Sequence, residues 1–326
     1  MRPIVYGLLA SFFFAFTFVL NRAMDLSGGH WIWSASLRYL FMVPFLFLIV
    51  AKRKNLGVLF SHMRKHPRAW LVWSFIGFVL FYAPLSFAAA YGPGWLIAGT
   101  WQVTIIAGSL LVPLFYESID TPHGPVKIRG RLPVKGLLLS CVILLGVAVM
   151  QIEHARGISQ AELFLGILPV VLAAFAYPLG NRKMMEVCGK EIDAYQRVLG
   201  MTLASLPFWL LLAGYGWVME GPPGGGQIVQ SILVAVTSGI IATVLFFAAT
   251  DMVRGDTHRL AAVEATQSGE VLFAVLGEML LLSAPMPALW SLLGMLLVVL
   301  GMILHSLYSH GPETKKVSKN VSEKVT

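Results

Sequence analysis

Ten stretches of this 326-residue chain are each long enough and apolar enough to cross a bilayer, and that repetition restricts the fold more than any other feature. A crossing helix needs about 20 mostly apolar residues. The stretches run approximately over 3–21, 31–51, 69–91, 95–116, 134–152, 161–180, 194–213, 227–250, 260–282 and 288–308. Hydrocarbon offers no partner to a backbone N–H or C=O, so each stretch is expected as a helix. The fold class is an all-α integral membrane protein of ten transmembrane helices. Composition agrees, because 57% of residues are hydrophobic and 12% charged, against about 25% charged in a soluble domain. The first stretch has no small-residue cleavage site after it, which marks a retained span rather than a removed signal peptide.

The charges sort by side. With the amino terminus inside, the inner segments hold Arg2, the basic residues between Lys52 and Arg68, those between Lys127 and Lys135, Arg182, Lys183, Lys190, Arg254, Arg259 and the lysines of the tail, 20 of the 24 basic residues. The outer segments hold only Arg22 and Arg156, so the positive-inside rule places both termini in the cytoplasm of a multi-pass cell-membrane protein. Trp31, Trp33, Trp95 and Trp217 fall near the outer surface and Trp70 and Trp73 near the inner one, as interfacial anchors. The same clustering explains the net charge of +8 without a nucleic-acid partner. The tail 309–326 reads as disordered, and 214–226 as a flexible outer loop.

The two halves overlay at an offset near 160 residues. "LNRAM" at 20–24 matches "GNRKM" at 180–184, Arg38 matches Arg197, and Gln102 matches Gln267. Five spans is an odd number, so the copies, 1–156 and 157–308, enter the membrane in opposite directions. Inverted repeats are a common route to two oppositely open states around one central site.

Ten spans as five plus five, an arginine early in the second and seventh, and a ninth of the form Glu, thirteen residues, Glu after Gly resemble the drug/metabolite transporter superfamily. More narrowly, residues 3–308 are similar to its ten-span multidrug-resistance efflux branch with EamA-like repeats. The resemblance implies a transporter fold and small-molecule export, without a particular substrate. Glu264 falls where the glutamate-proline pair of that helix begins, and Gly277-Glu278 on its closing pair. Ala265 stands in place of the proline, so a kink there is not implied. The related four-helix multidrug pumps couple protons through a first-helix glutamate; the first span here carries no acid.

The ninth span holds most of the buried polarity. At 100° per residue, Glu264, Gln267, Glu270 and Glu278 share a third of the helix circumference, facing protein or water rather than lipid. At about 1.5 Å per residue, Glu264 lies roughly 6 Å inside the inner edge, Glu270 roughly 15 Å, and Glu278 near the far surface. Arg197 matches Glu264 in depth and Arg38 approaches Glu278, so two ion pairs are expected. Glu270 at the midplane has no such cation. It suits a group that gains and loses a proton in a transport cycle. Gln102, with Thr100 and Thr104, forms a polar patch suited to interhelical hydrogen bonds or solute contact. Trp101, Tyr82 and Tyr177 are candidates to line a cavity for flat or cationic ligands, with packing as the alternative. Arg22 and Arg182 each close a span and are read as helix caps. "FFF" at 12–14 covers most of a helix circumference and is assigned to lipid and packing.

No Walker loop, GxSxG or HExxH is present, and His123, His154, His258 and His305 are scattered. Cys141 and Cys188 lack the spacing of a disulfide framework or a zinc site. The chain is therefore expected to be no enzyme, without cofactor or metal, and to be a secondary transporter exporting small organic solutes or drugs in exchange for protons. Its partners are a small-molecule substrate, the coupling protons and the lipid bilayer, with a homodimer left open. Two other readings stand: an amino-acid or metabolite transporter of the same fold, and an intramembrane lipid-modifying enzyme.

Overall fold

The computed structural model describes residues 1–91, 94–121, 124–152, 159–283 and 286–310. His154, Arg156, the junction at 156–157 and the tail from 311 lie outside the described residues, as do the side chains of Trp95 and Lys127.

Each of the ten apolar stretches is built mainly of helix. α1 (Arg2–Leu26) and α2 (Trp31–Lys52) are continuous. α3 (Leu56–Lys65) is a short amphipathic helix that buries Leu59 and His62. α4 (Pro67–Ser74) passes through a π-helical stretch, Phe75–Val79, into α5 (Leu80–Tyr91). α6 (Gly94–Trp101) and α7 (Val103–Leu110) are divided at Gln102. β1 (Tyr116–Thr121) and β2 (Gly124–Arg129) then pair antiparallel, with Tyr116 opposite Arg129. The chain is thus all-α apart from this hairpin, which the sequence reading did not anticipate.

The second half continues with α8 (Val134–Gln151), α9 (Gln160–Cys188) and α10 (Ala194–Glu220). Asp193 and Gln196 start α10 with a reciprocal capping box, each side chain accepting the other residue's backbone N–H at 2.9 Å. α11 (Gly225–Val234) runs through a second π-helical stretch, Ala235–Ala242, into α12 (Thr243–Asp251). α13 (Thr257–Ala265) and α14 (Gly269–Leu281) are separated by a 3-10 turn, Thr266–Ser268, and α15 (Leu289–His310) follows. The helix is interrupted beside Ala265 although no proline stands there.

Six of these rods are long and apolar enough to cross a membrane: Arg2–Leu26, Trp31–Lys52, Pro67–Tyr91, Phe164–Cys188, Ala194–Glu220 and Gly225–Asp251. Ile97–Leu110, Val134–Met150 and Leu289–His305 are shorter apolar helices. Leu48, Leu138, Leu168, Leu211 and Leu296 are all more than half exposed, a surface that water would penalise and lipid would not. Phe14, Tyr39, Phe78, Phe81, Tyr177, Trp209 and Phe246 fill the main core. α8 and α15 approach so closely that a Cβ on Gly146 would stand 2.8 Å from the Gly294 carbonyl oxygen, the small-residue packing typical of membrane helices.

Candidate functional site

Helical spacing on α1 starts the site: Phe14, Thr17 and Phe18 stand on one face and border a central cavity. Phe81 and Leu85 of α5, Trp101 of α6, Tyr177 of α9, Ser238 of the second π-helical stretch, and Gln267 and Glu270 close it. Its empty volume is about 260 Å³. Thr17 and Ser238 join hydroxyls across it at 2.5 Å. The walls are aromatic and interlocked, with Phe81 and Tyr177 rings 4.6 Å apart, Phe81 and Trp101 5.1 Å, and Tyr177 and Phe246 5.8 Å.

Glu270 supplies the cavity's acid. It is 2% exposed, its Oε1 has no hydrogen-bond partner, and no cation among the described residues pairs with it. The 3-10 turn at Thr266–Ser268 places Glu270 in the first turn of α14, on the stretch that borders the cavity. The Tyr177 hydroxyl is also without a partner. Gln102 marks the other interrupted helix, its Nε2 donating to the Ala98 carbonyl at 3.1 Å while Oε1 stays unpartnered. Thr104 donates to the Ala174 carbonyl at 3.1 Å, tying α7 to α9.

Two further cavities continue from this one. Thr17, Phe18 and Leu85 also border a second space with Asn21 and Ala89, and Asn21 and Ala89 recur in a third with Asp25, Trp31 and Ser34. The series follows one face of α1 from Phe14 to Asp25. At its far end Arg22 and Asp25 form a half-exposed ion pair of 3.1 Å.

The expected pairing of Glu264 with Arg197 is incorrect. Arg182 holds Glu264 instead, Nε to Oε1 at 2.8 Å and Nη2 to Oε2 at 2.5 Å, with both side chains buried. Gly108 lies against the pair, and a Cβ there would overlap the Glu264 carboxylate. Arg197 donates to Asp251 at 2.6 Å and to the Phe247 carbonyl at 3.2 Å, and Arg254 reaches the same Asp251 oxygen at 2.8 Å. The helix that carries Arg182 extends past residue 180, where the apolar stretch ends. Helix α9 runs on to Cys188, so Arg182 is interior rather than a cap. Met184, Met185 and Cys188, buried at helical spacing after Tyr177, are the signal that would have extended it.

The expected Arg38–Glu278 pair is also absent. Arg38 is 1% exposed and lies 4.0 Å from the Tyr82 ring centre, and no carboxylate among the described residues pairs with it. Glu278 is partly exposed near the end of α14. Tyr82 is buried beneath Arg38, outside the residues bordering the cavity, whereas Trp101, Tyr177, Gln267 and Glu270 border it as a group. Phe14 belongs to the cavity while Phe12 is 41% exposed, so "FFF" divides between the two environments. Phe14, Thr17, Phe81 and Ser238 were not singled out in the sequence.

Residues 1–311 match the model of the family described as "Putative multidrug resistance efflux transporter". "Uncharacterized protein YjlA" of Bacillus subtilis (strain 168) is 60% identical over 320 residues, covering 98% of this chain and 99% of that one. "Uncharacterized 42.1 kDa protein in intracellular alkaline protease 3'region" of Shouchella clausii is 51% identical over 271 residues, 83% of this chain and 70% of its own. A crystal structure at 15% identity superposes with a TM-score of 0.70 over 95% of this chain and 99% of its own, a likeness of fold alone.

Proposed function

Because the chain belongs to the family described as "Putative multidrug resistance efflux transporter", a family of membrane transporters and not of enzymes, we propose that it exports small organic cations in exchange for protons. One observation carries this reading: a buried carboxyl, Glu270, with no cation partner among the described residues, in a cavity walled by Phe14, Phe81, Trp101 and Tyr177. Aromatic faces attract a cation through their quadrupole, and a carboxyl that binds either a cation or a proton links the two fluxes.

The proposed architecture is ten spans in two inverted repeats, 1–156 and 157–308, in the cell membrane with both termini cytoplasmic. Paired interruptions support it. The π-helical stretches begin at 75 and 235, and the broken helices part at Gln102 and at Thr266–Ser268. These are the places where a repeat can flex about a fixed midplane site. The interlocked rings of Phe81, Trp101 and Tyr177 leave little free space in the contracted cavity, so the surrounding helices must part to admit a drug-sized solute. The series of cavities along α1 toward Asp25 is the outward route, and the buried Arg182–Glu264 pair closes the cytoplasmic side.

The test is reconstitution into proteoliposomes with an acidic interior and a fluorescent lipophilic cation outside. Accumulation that collapses when the pH gradient is dissipated is the expected result. A panel of organic cations that never accumulates, or accumulates equally without the gradient, overturns the reading.

A further inference from the structure

Two buried charged side chains have no ion-pair partner among the described residues, and they carry opposite signs. Glu270 is one; Arg38 is the other. Arg38 is 1% exposed, its Nε and Nη1 have no hydrogen-bond partner, and its charge is met only by the faces of Tyr82 at 4.0 Å and Tyr39 at 5.6 Å. The other two buried arginines differ, since Arg182 has Glu264 and Arg197 has Asp251. A buried guanidinium without an anion is costly, so its partner is to be sought outside the protein.

The groups near Arg38 connect it to the central cavity. Tyr82 lies 5.8 Å ring to ring from Phe81, which borders the cavity with Tyr177 and Glu270. Gly239, whose Cβ would stand 3.5 Å from Arg38 Nε, directly follows the cavity residue Ser238. The Tyr82 and Tyr177 hydroxyls are both without partners. Unpartnered polar groups therefore stand on both sides of Phe81, whose ring contacts Tyr82 at 5.8 Å and Tyr177 at 4.6 Å.

We propose that Arg38 is an anion-binding subsite of the central site, and that the transported solute carries a carboxylate in addition to its cationic nitrogen. This rests on the reading of Glu270 as the cation site. Parting of the helices around the contracted cavity would bring the guanidinium, with its Tyr82 and Tyr177 hydroxyls, to the solute's carboxylate, where a charge-assisted hydrogen bond replaces a cation resting on a ring.

The experiment uses the purified full chain in detergent and reads ligand-induced thermal stabilisation. The probes are ω-aminobutyrate, ω-aminohexanoate and ω-aminooctanoate, each beside the alkylamine of equal length, so that every pair differs by one carboxylate. At one length or more the amino acid is expected to bind about tenfold more tightly than its amine. Arg38→Gln should abolish that advantage and leave the amine's affinity unchanged. Should Arg38→Gln not fold, Arg38→Lys keeps the charge but moves it, and should reduce the advantage alone. Equal binding within every wild-type pair overturns the inference, and so does an equal loss for both members in the variants. Amines that fail while amino acids bind overturn the cation site alone; failure of both classes overturns both proposals.

Discussion

Arg182 grips Glu264 through two hydrogen bonds of 2.8 and 2.5 Å, joining α9 to α13 across 82 residues of chain. The fork of a guanidinium matches a carboxylate, and removing either partner strands a charge in a dry interior. Arg182→Ala and Glu264→Ala are each expected to cost about 3–5 kcal/mol, with the double variant costing much less than the sum. Denaturant unfolding in detergent measures the cycle. The control is Arg197→Ala with Glu264→Ala, which should be additive because Arg197 is engaged by Asp251.

How that pair was missed shows what was readable. Long apolar runs fix helices directly, because hydrocarbon permits little else, and six of the ten stretches form helices long and apolar enough to cross a membrane. The shared face of one helix is legible too: Gln267 and Glu270 border the cavity, and Glu264 is buried as they are. Partner choice was not, since it depends on which faces of distant helices meet. The charge pattern allows either Arg182 or Arg197 to meet Glu264, and only packing assigns one to Glu264 and the other to Asp251. The cavity wall was half readable for the same reason, because Thr17 and Ser238 gain meaning only by facing each other across 221 residues. The hairpin at 116–129 was lost in a segment read as a charged loop.

The crossing of the third and sixth apolar stretches depends on two glycines. A Cβ on Gly180 would collide with the backbone of Gly77 and stand 2.9 Å from the Trp73 carbonyl oxygen. Backbone cannot yield as a side-chain tip does, so Gly180→Ala should cost about 1–3 kcal/mol of stability. Gly226→Ala, which meets nothing within 4 Å, should stay within about 0.5 kcal/mol. Thermal unfolding of the two variants side by side decides it.

His62 gives the amphipathic helix α3 a pH dependence. Burial holds its imidazole below the ordinary value of about 6.5, and neighbouring His66 adds to the shift. The neutral ring accepts the Trp70 Nε1–H at 3.1 Å, which a protonated Nδ1 cannot do. With a depressed folded value, the stabilisation is present above about pH 6.5 and is lost as pH falls through that lowered value. The melting temperature of wild type should drop on acidification below about pH 6.5, and that of His62→Gln should drop less. Identical pH profiles would remove His62 from the account.

The proposed orientation rests on twenty basic residues in the segments assigned to one side against two in those assigned to the other. Gly57 and Gly224 both lie open, with nothing within 4 Å of an added Cβ, so cysteines there should leave the fold intact. In a background with the exposed Cys141 replaced by serine, Gly224→Cys should react with an impermeant thiol reagent in intact cells. Gly57→Cys should react only after the membrane is opened. The reverse pattern inverts the topology and, with it, the direction assigned to the cavities along α1.

Glu270 is where cation binding and proton coupling are proposed to meet, and one substitution separates the two roles. Glu270→Gln keeps the size of the side chain and the ability to hydrogen-bond, but it cannot ionise. The neutral amide suits the apolar cavity, with Thr17, Tyr177 and Ser238 at its rim, so folding and insertion should survive. Gradient-driven accumulation should fall to background, because no carboxyl remains to exchange a proton for a cation. Counterflow, in which labelled and unlabelled solute exchange with no net proton movement, tests the other role. If the carboxylate also supplies binding energy, counterflow of a cation should weaken by about 10-fold or more, whereas a group needed for coupling alone leaves it intact. Both fluxes measured in wild type and Glu270→Gln, reconstituted at equal protein content, distinguish these outcomes. Wild-type accumulation by the glutamine variant would falsify the assignment of Glu270 as the coupling group. Attention would then move to Glu264, whose release from Arg182 would have to accompany each proton.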